Sequence, residues 1–231
     1  EQICREVREK FGCRNAVTLP NPFDMRQIEE MAEKEEAELP WKEGRILVSM
    51  GREDAVKGFW HLIKSFALVH EALPDTKLMI IGQGGYMQYK ELAAGLGVED
   101  AVCFTGLKRN PYPYLKRSSL YVLTSYNEGF PNALVEAMAL GVPAVATDCM
   151  TGPREILESE YGILVPNMSP DADFEPKNIT EEERRLAEKI TALLKNEAQM
   201  AHYQEMARKR AAEYTTERYL TNIRKWVSED C

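Results

Sequence analysis

Short apolar runs alternate with longer stretches of helical period from residue 45 onward. Arg45-Ile-Leu-Val-Ser-Met50 lies between Gly44 and Gly51 and is apolar and β-branched, as a buried strand would be. Behind it, Phe59, Leu62, Ile63, Phe66, Val69 and Leu73 recur at the spacing that puts them on one helical face. The same pattern predicts strands near 45–50, 77–82, 101–105, 119–124, 143–147 and 161–165, and helices near 57–73, 86–97, 111–117, 131–141 and 153–158. Strands that are apolar throughout and alternate with helices predict an α/β fold, a doubly wound parallel sheet with helices on both faces. Ligands of such sheets sit at the carboxyl ends of the strands. Before this region, a charged amphipathic helix is expected at 1–12, a short strand at 16–19 and a polar helix at 25–38 ending near Pro40. After it, Asn167–Thr180 has no period and reads as a loop. Helices follow near 180–195, 197–213 and 215–229, the last with Tyr219, Leu220, Ile223 and Trp226 as its apolar stripe.

Two segments carry candidate chemistry. In the first, Leu120-Tyr-Val-Leu-Thr124 feeds a turn bearing Glu128, Pro131 opens a helix, and Glu136 follows eight positions after Glu128. Proline suits a helix start, where its missing amide would have been unpaired. Such a start presents free N–H groups and partial positive charge, a ready site for phosphate. In the second, Gly51-Arg52 follows the strand at 45–50, and Lys57-Gly58 stands at the mouth of the next helix. A cation there opposes the macrodipole by about 0.3–1 kcal/mol. A diphosphate facing Arg52 and Lys57 would compensate; a solvated lysine helped by Glu53 and Asp54 explains the position equally well.

Composition narrows the classes. The chain has 231 residues, 44% hydrophobic and 29% charged, enough for a sizeable core. A net charge of −8 argues against a nucleic-acid partner. No apolar run approaches the roughly 18 residues of a membrane span. The five scattered cysteines (Cys4, Cys13, Cys103, Cys149, Cys231) form no C-x-x-C pair and suggest a reducing cytosol, with Cys103 and Cys149 as buried thiols. His61, His70 and His202 lack metal-ligand spacing and read as ordinary surface or boundary residues, so no metal site is expected. The Gly82-Gln-Gly84-Gly85 turn lacks the third glycine of a dinucleotide fingerprint and reads as a tight turn at the crevice edge. Asp171-Ala-Asp173 reads as solvated loop. Thr151-Gly-Pro-Arg154-Glu155 opens a short helix whose backbone could reach ligand, though an ordinary helix start explains it too. Phe104 and Leu107 could wall a base pocket, and core packing accounts for Phe104 as well.

Together these motifs resemble the carboxyl-terminal domain of a GT-B glycosyltransferase, the large retaining family 4. The features are Gly51-Arg52…Lys57-Gly58, Ile81-Gly82-Gln-Gly84, Thr105-Gly106 with Asn110-Pro111, Glu128-x7-Glu136, Gly141-Val-Pro143, Gly152-Pro153-x-Glu155-Ile-Leu157 and Tyr161-Gly-Ile-Leu-Val165. The likeness runs from about 45 to 165 and implies one Rossmann-like, six-stranded GT-B half-domain with carboxyl-terminal helices. Residues 1–40 would be a helix and linker from a missing first domain, and 41–231 the donor nucleotide-sugar domain. The resemblance assigns Arg52 and Lys57 to the diphosphate, Glu128 to the donor sugar's hydroxyls and Glu136 to the ribose. It implies substrate contacts from Gly51, Gly129, Phe130, Pro131, Asn132 and Leu134, with Leu107 and Lys108 meeting the base. The donor would be a UDP-sugar, used without metal or cofactor. Cys149, Gly152-Pro153 and Glu155-Ile-Leu157 are similar to enzymes of bacterial surface polysaccharides and lipid-linked glycans that use galactose-type or N-acetylhexosamine donors. The acceptor side would belong to the missing half, and the isolated domain should transfer little or nothing. A cytoplasmic place is expected, with contact at the inner membrane face left open for the full-length protein. An epimerase or phosphorylase on this scaffold, or a non-catalytic nucleotide-sugar-binding module, are the competing readings.

Overall fold

The computed structural model describes residues 2–34, 36–149 and 151–229. Its centre is a six-stranded, all-parallel sheet built from β1 (Arg45–Met50), β2 (Thr76–Ile81), β3 (Val102–Phe104), β4 (Leu120–Leu123), β5 (Ala144–Thr147) and β6 (Ile163–Val165). The strand order is β3-β2-β1-β4-β5-β6, so chain order reverses between β1 and β4. The loops leaving those two strands frame a crevice, the place where ligands of such sheets bind.

Alternation along each strand sorts side chains between two cores. Leu47, Leu78, Ile80, Leu120, Val122 and Val145 pack beneath α3 (Phe59–Ala72), α4 (Met87–Gly95) and α8 (Glu181–Leu194). Their neighbours Ile46, Val48, Met79, Ile81, Tyr121 and Leu123 face α2 (Met25–Glu33), α5 (Tyr112–Lys116), α6 (Asn132–Ala139), α7 (Pro153–Leu157) and α9 (Glu197–Ala211). The chain is flanked by α1 (Gln2–Phe11) and α10 (Thr216–Glu229). On α10 the predicted stripe is present, but Tyr219, Ile223 and Trp226 are only half-buried and Leu220 is 45% exposed.

Three expectations need correction. Residues 16–19 form no strand; among the described residues no strand pairs with them, and the Ala16 carbonyl is taken by the Arg8 side chain. The helix expected over 25–38 ends at Glu33. Beyond it an extended course puts Ala37, Leu39 and Trp41, at alternate positions, against the core, which a continued helix could not do. His61 is not a surface residue: it is 3% exposed on α3. Its Nδ1 lies 2.7 Å from the Glu183 carboxylate and its Nε2 3.0 Å from the Ser169 carbonyl.

Beside it, fully buried Lys64 donates to the Asn178 carbonyl at 2.8 Å and pairs with Asp173 at 3.2 Å. Asp173 is therefore tied to the core and not merely solvated. Glu183 also closes a capping box with Thr180 at the start of α8. Together these contacts pin the irregular segment before α8 onto α3. Removing one member of such a buried pair leaves the other desolvated and unmatched. Glu183→Ala should lower the unfolding free energy by about 3–5 kcal/mol, read from urea denaturation. A loss under ~1 kcal/mol would show that the pair does not bind the segment to the core.

Candidate functional site

The crevice is assembled where the loops after β1 and β4 meet. Asp54 caps a single 3-10 turn, Ala55–Lys57, by accepting from the Val56 amide at 3.0 Å. Gly58 then adopts φ 58°, and a Cβ there would lie 2.4 Å from the Thr124 carbonyl. Only glycine tolerates both the positive φ and that approach. The two loops are joined further by Thr124 Oγ1 donating to the Lys57 carbonyl at 2.9 Å and the Tyr126 amide to the Val56 carbonyl at 3.1 Å.

This junction brings Lys57 Nζ to 2.6 Å from Glu128 Oε1, which also accepts from the Ser125 hydroxyl at 2.7 Å. Lys57 thus stands just outside α3, and a carboxylate from the opposing loop offsets its charge. Neither a bound phosphate nor bare solvation is needed to explain its position. The aliphatic part of Lys57 lies over Gly51, where a Cβ would meet Cδ and Cε at 3.1 Å. Arg52, next in the chain, is exposed, and its guanidinium makes no ion pair or hydrogen bond among the described residues.

Pro131 is the N-cap of α6, so the helix begins at Asn132, one residue later than the sequence predicts. No hydrogen bond among the described residues takes up the amides of Gly129, Phe130 or Asn132. The turn is propped from β5: the Thr151 hydroxyl donates to the Glu128 carbonyl, and Gly152, at φ 77°, sits so close that a Cβ would be 2.6 Å from Pro131 Cδ. The segment Thr151–Glu155 therefore supports the candidate turn directly. Phe130 packs on Phe23 and Tyr214, and the Asn132 side chain accepts from Asn21 at 2.7 Å.

One turn into α6, Glu136 is half-buried, and burial raises its pKa above the ordinary carboxylate value, against a weaker lowering by the Tyr112 hydroxyl 3.4 Å away. The Tyr112 phenol is itself pushed up to about 12 by burial and by Glu136. Beneath them Tyr121 is fully buried on β4, and burial with the fields of Glu128 and Glu136 shifts its phenol upward. Burial and Glu128 likewise push the Cys149 thiol to about 11. Cys103, expected to be buried, is half-buried; Cys231 lies outside the described residues.

Of the residues assigned from sequence, Gly51, Arg52, Lys57, Glu128, Gly129, Phe130, Pro131 and Asn132 lie on the loops at the reversal of strand order. Glu136 is the next turn inward. Leu134 differs: its side chain is fully buried in the core and its amide donates to the Pro131 carbonyl at 3.0 Å. Leu107 and Lys108 follow β3, two strands away, joined to the crevice edge by the Gly82 amide donating to the Gly106 carbonyl at 3.1 Å. Leu107 is 72% exposed and Lys108 sits 5.0 Å from the Tyr114 ring. Phe104 stacks on Tyr86 at 4.8 Å, so packing accounts for it.

Sequence reasoning assigns no role to Ser125, Tyr112 or Tyr86, and for Thr151 it considers only backbone contact with ligand. Only Ser125 has a local signal, being three residues before Glu128 at the strand end. Beside Gly129 and Phe130 a cavity of about 1350 Å³ opens between the α1 side and the α9–α10 side of the fold. Its lining excludes Arg52, Lys57 and Glu128.

The model of the family described as "Glycosyl transferases group 1" matches residues 31–210. An uncharacterized glycosyltransferase of Methanocaldococcus jannaschii is 33% identical over 201 residues, covering 78% of this chain and 49% of that protein. The Campylobacter jejuni N-acetylgalactosamine-N,N'-diacetylbacillosaminyl-diphospho-undecaprenol 4-alpha-N-acetylgalactosaminyltransferase is 31% identical over 153 residues, covering 65% of this chain and 38% of that protein. The chain therefore spans half or less of the length of these curated relatives. Among solved structures, Anabaena HepE in complex with UDP superposes with a TM-score of 0.81 at 22% identity, covering 99% of this chain and 62% of that one.

The raised pKa of Glu136 fixes the sign of a pH effect. At low pH the carboxyl is protonated in both folded and unfolded chains. Once pH passes the ordinary value of 4.5 the unfolded chain ionises first, so stability falls until the raised folded value is passed. The melting temperature of Glu136→Gln relative to wild type should therefore climb as pH rises above 4.5 and level off once the folded carboxyl has ionised. A difference that stays constant over that rise would contradict the burial argument.

Proposed function

The chain belongs to the group 1 glycosyl transferases, and from that premise we propose that it is the donor-binding half of a retaining, UDP-sugar-dependent glycosyltransferase. The observation that carries this reading is the convergence, at one reversal of strand order, of two cations, a helix start with free amides, and two carboxylates. Diphosphate charge is taken by Arg52, Lys57 and the amides of Gly129, Phe130 and Asn132. When phosphate becomes the anion for Lys57, Glu128 is released to accept from the sugar's hydroxyls. Glu136 accepts from the ribose hydroxyls, and the loop at Leu107-Lys108 faces the base.

The bond from the anomeric carbon to the distal phosphate oxygen breaks, and the acceptor hydroxyl attacks from the same face. The acceptor's proton passes to the departing phosphate oxygen. Cations and amides already aimed at that oxygen stabilise the charge that develops there, usually the largest catalytic term. This reading calls for no metal ion or cofactor. The sugar is a hexose or N-acetylhexosamine and the acceptor a glycan or lipid-linked glycan, in line with the N-acetylgalactosaminyl transfer named for the Campylobacter relative. The acceptor is held by a second half-domain, so this half alone binds donor and transfers little.

Arg52→Ala or Lys57→Ala should each weaken UDP binding by about 1–3 kcal/mol in calorimetry, as for a lost hydrogen bond to a charged group. Unchanged affinity in both variants would remove the diphosphate assignment. Glu136→Ala should reduce affinity for UDP more than for inorganic diphosphate, which has no ribose; equal losses would refute its ribose role.

A further inference from the structure

The turn Gly82-Gln-Gly84-Gly85-Tyr86 touches the crevice through an anion of the protein's own. Oε2 of Glu53 accepts from the amides of Gly85 and Tyr86 at 2.7 and 2.9 Å. Both glycines ahead of that contact are required by the approaching loop. A Cβ at Gly82, φ 158°, would lie 1.7 Å from the Gly51 carbonyl oxygen, and one at Gly84 2.4 Å from Cβ of Glu53. The two amides are thus occupied, and the glycine pattern is explained by close packing of one turn on another.

What this packing fixes is the backbone around Arg52. On one side, the Gly51–Arg52 peptide is held by the Tyr86 hydroxyl, which donates to the Gly51 carbonyl at 3.2 Å. On the other, the Arg52–Glu53 peptide is held by the Glu53 amide donating to the Gln83 carbonyl at 2.8 Å. The Tyr86 phenol cannot swing away. Its ring is 1% exposed, stacked on Phe104 and packed edgewise against Tyr89 at 6.1 Å. Its backbone holds φ 55°, a conformation that a bulky residue keeps only when its surroundings over-determine it. An exposed guanidinium with no partner among the described residues therefore hangs from a backbone pinned at both flanking peptides. That is the arrangement of a binding group whose ordering is completed before the ligand arrives.

We propose that Glu53 and Tyr86 are positioning residues for the nucleotide diphosphate, acting through Arg52 and not by contact with ligand. The inference rests on the donor-binding reading above. It predicts that the glycine-rich turn influences the phosphate end of the nucleotide and leaves the nucleoside end alone.

The test measures binding of UDP and of uridine to the full 231-residue chain, by calorimetry and NMR titration. Tyr86→Phe, which keeps the ring, should weaken UDP about 2–10-fold, the size of one lost neutral hydrogen bond, and Glu53→Leu, which loses two bonds to a carboxylate, at least as much, each with uridine affinity changed by less than about twofold. Glu53→Gln should bind UDP within about twofold of wild type, because both amides bond to a single oxygen that the Gln carbonyl can replace. On an Arg52→Ala background, Tyr86→Phe should have no further effect, since a residue acting through Arg52 is silent without it. Parallel loss of UDP and uridine, or additive losses in the double variant, would overturn the proposal in favour of a purely structural turn. Unchanged UDP affinity in folded Tyr86→Phe would do the same. Wild-type chain that fails to bind UDP overturns the donor reading itself, a result visible before any variant is made.

Discussion

The candidate site depends on one contact between charges, Lys57 against Glu128, made across the gap where the sheet reverses its strand order. Each partner alone would be poorly placed. Lys57 stands before the positive end of α3, and Glu128 is only 11% exposed. Bonded to each other across the two loops, they offset each other's charge. The pair is also easily exchanged. A phosphate can replace Glu128 as the anion for Lys57, and a hydroxyl can replace Lys57 as the donor to Glu128. Under the proposed donor reading, ligand would enter by swapping partners, so no charge would have to be stripped of all its contacts on the way.

Glycines set how closely the loops can meet. Gly58 lets the β1 loop touch the Thr124 carbonyl, Gly82 lets the β2 turn touch the Gly51 carbonyl, and Gly152 lets the β5 loop press on Pro131. Each lies just beyond a strand's carboxyl end. In a parallel sheet neighbouring strand ends are only about 4.8 Å apart, so loops leaving them must diverge or pack backbone to backbone. Here they pack, and a methyl group at any of the three positions would separate them. The same contacts hold the Glu128 turn, the Lys57 turn and the start of α6 in fixed relation.

Local patterns made the sheet and its helices readable from sequence, because burial on two faces leaves an apolar run for each strand and a 3.6-residue stripe for each helix. The acidic pair was equally visible, since Glu128 and Glu136 share one turn and one helix. Contacts between distant segments were not. His61 read as an ordinary surface or boundary residue because Glu183, 122 positions away, leaves no mark near it. Glu53 met Tyr86 only through the folding of two turns, and the stretch 16–19 looked like a strand because alternation alone does not reveal whether a neighbour exists to pair with it. Lys57 stood out as a local misfit, but its partner Glu128, 71 positions away, could not be read from the sequence near it.

Glu136 shows why the misfits belong to the site. The fold buries a carboxylate deeply enough to resist its ionisation, with Tyr112 as a weak partner at 3.4 Å. A glutamine of the same shape would relieve that strain, and the core around α6 would lose nothing in packing. Amides at Gly129, Phe130 and Asn132 and the exposed Arg52 guanidinium, all without a partner among the described residues, and Tyr86 at positive φ are further departures from local optimum. They cluster within two neighbouring loops and the turn that braces them. Positive φ at Glu158 and Ser159, beyond α7, shows that not every departure lies here. Those at the crevice each supply a donor, an acceptor or a fixed backbone, which suits a surface shaped for something other than its own stability.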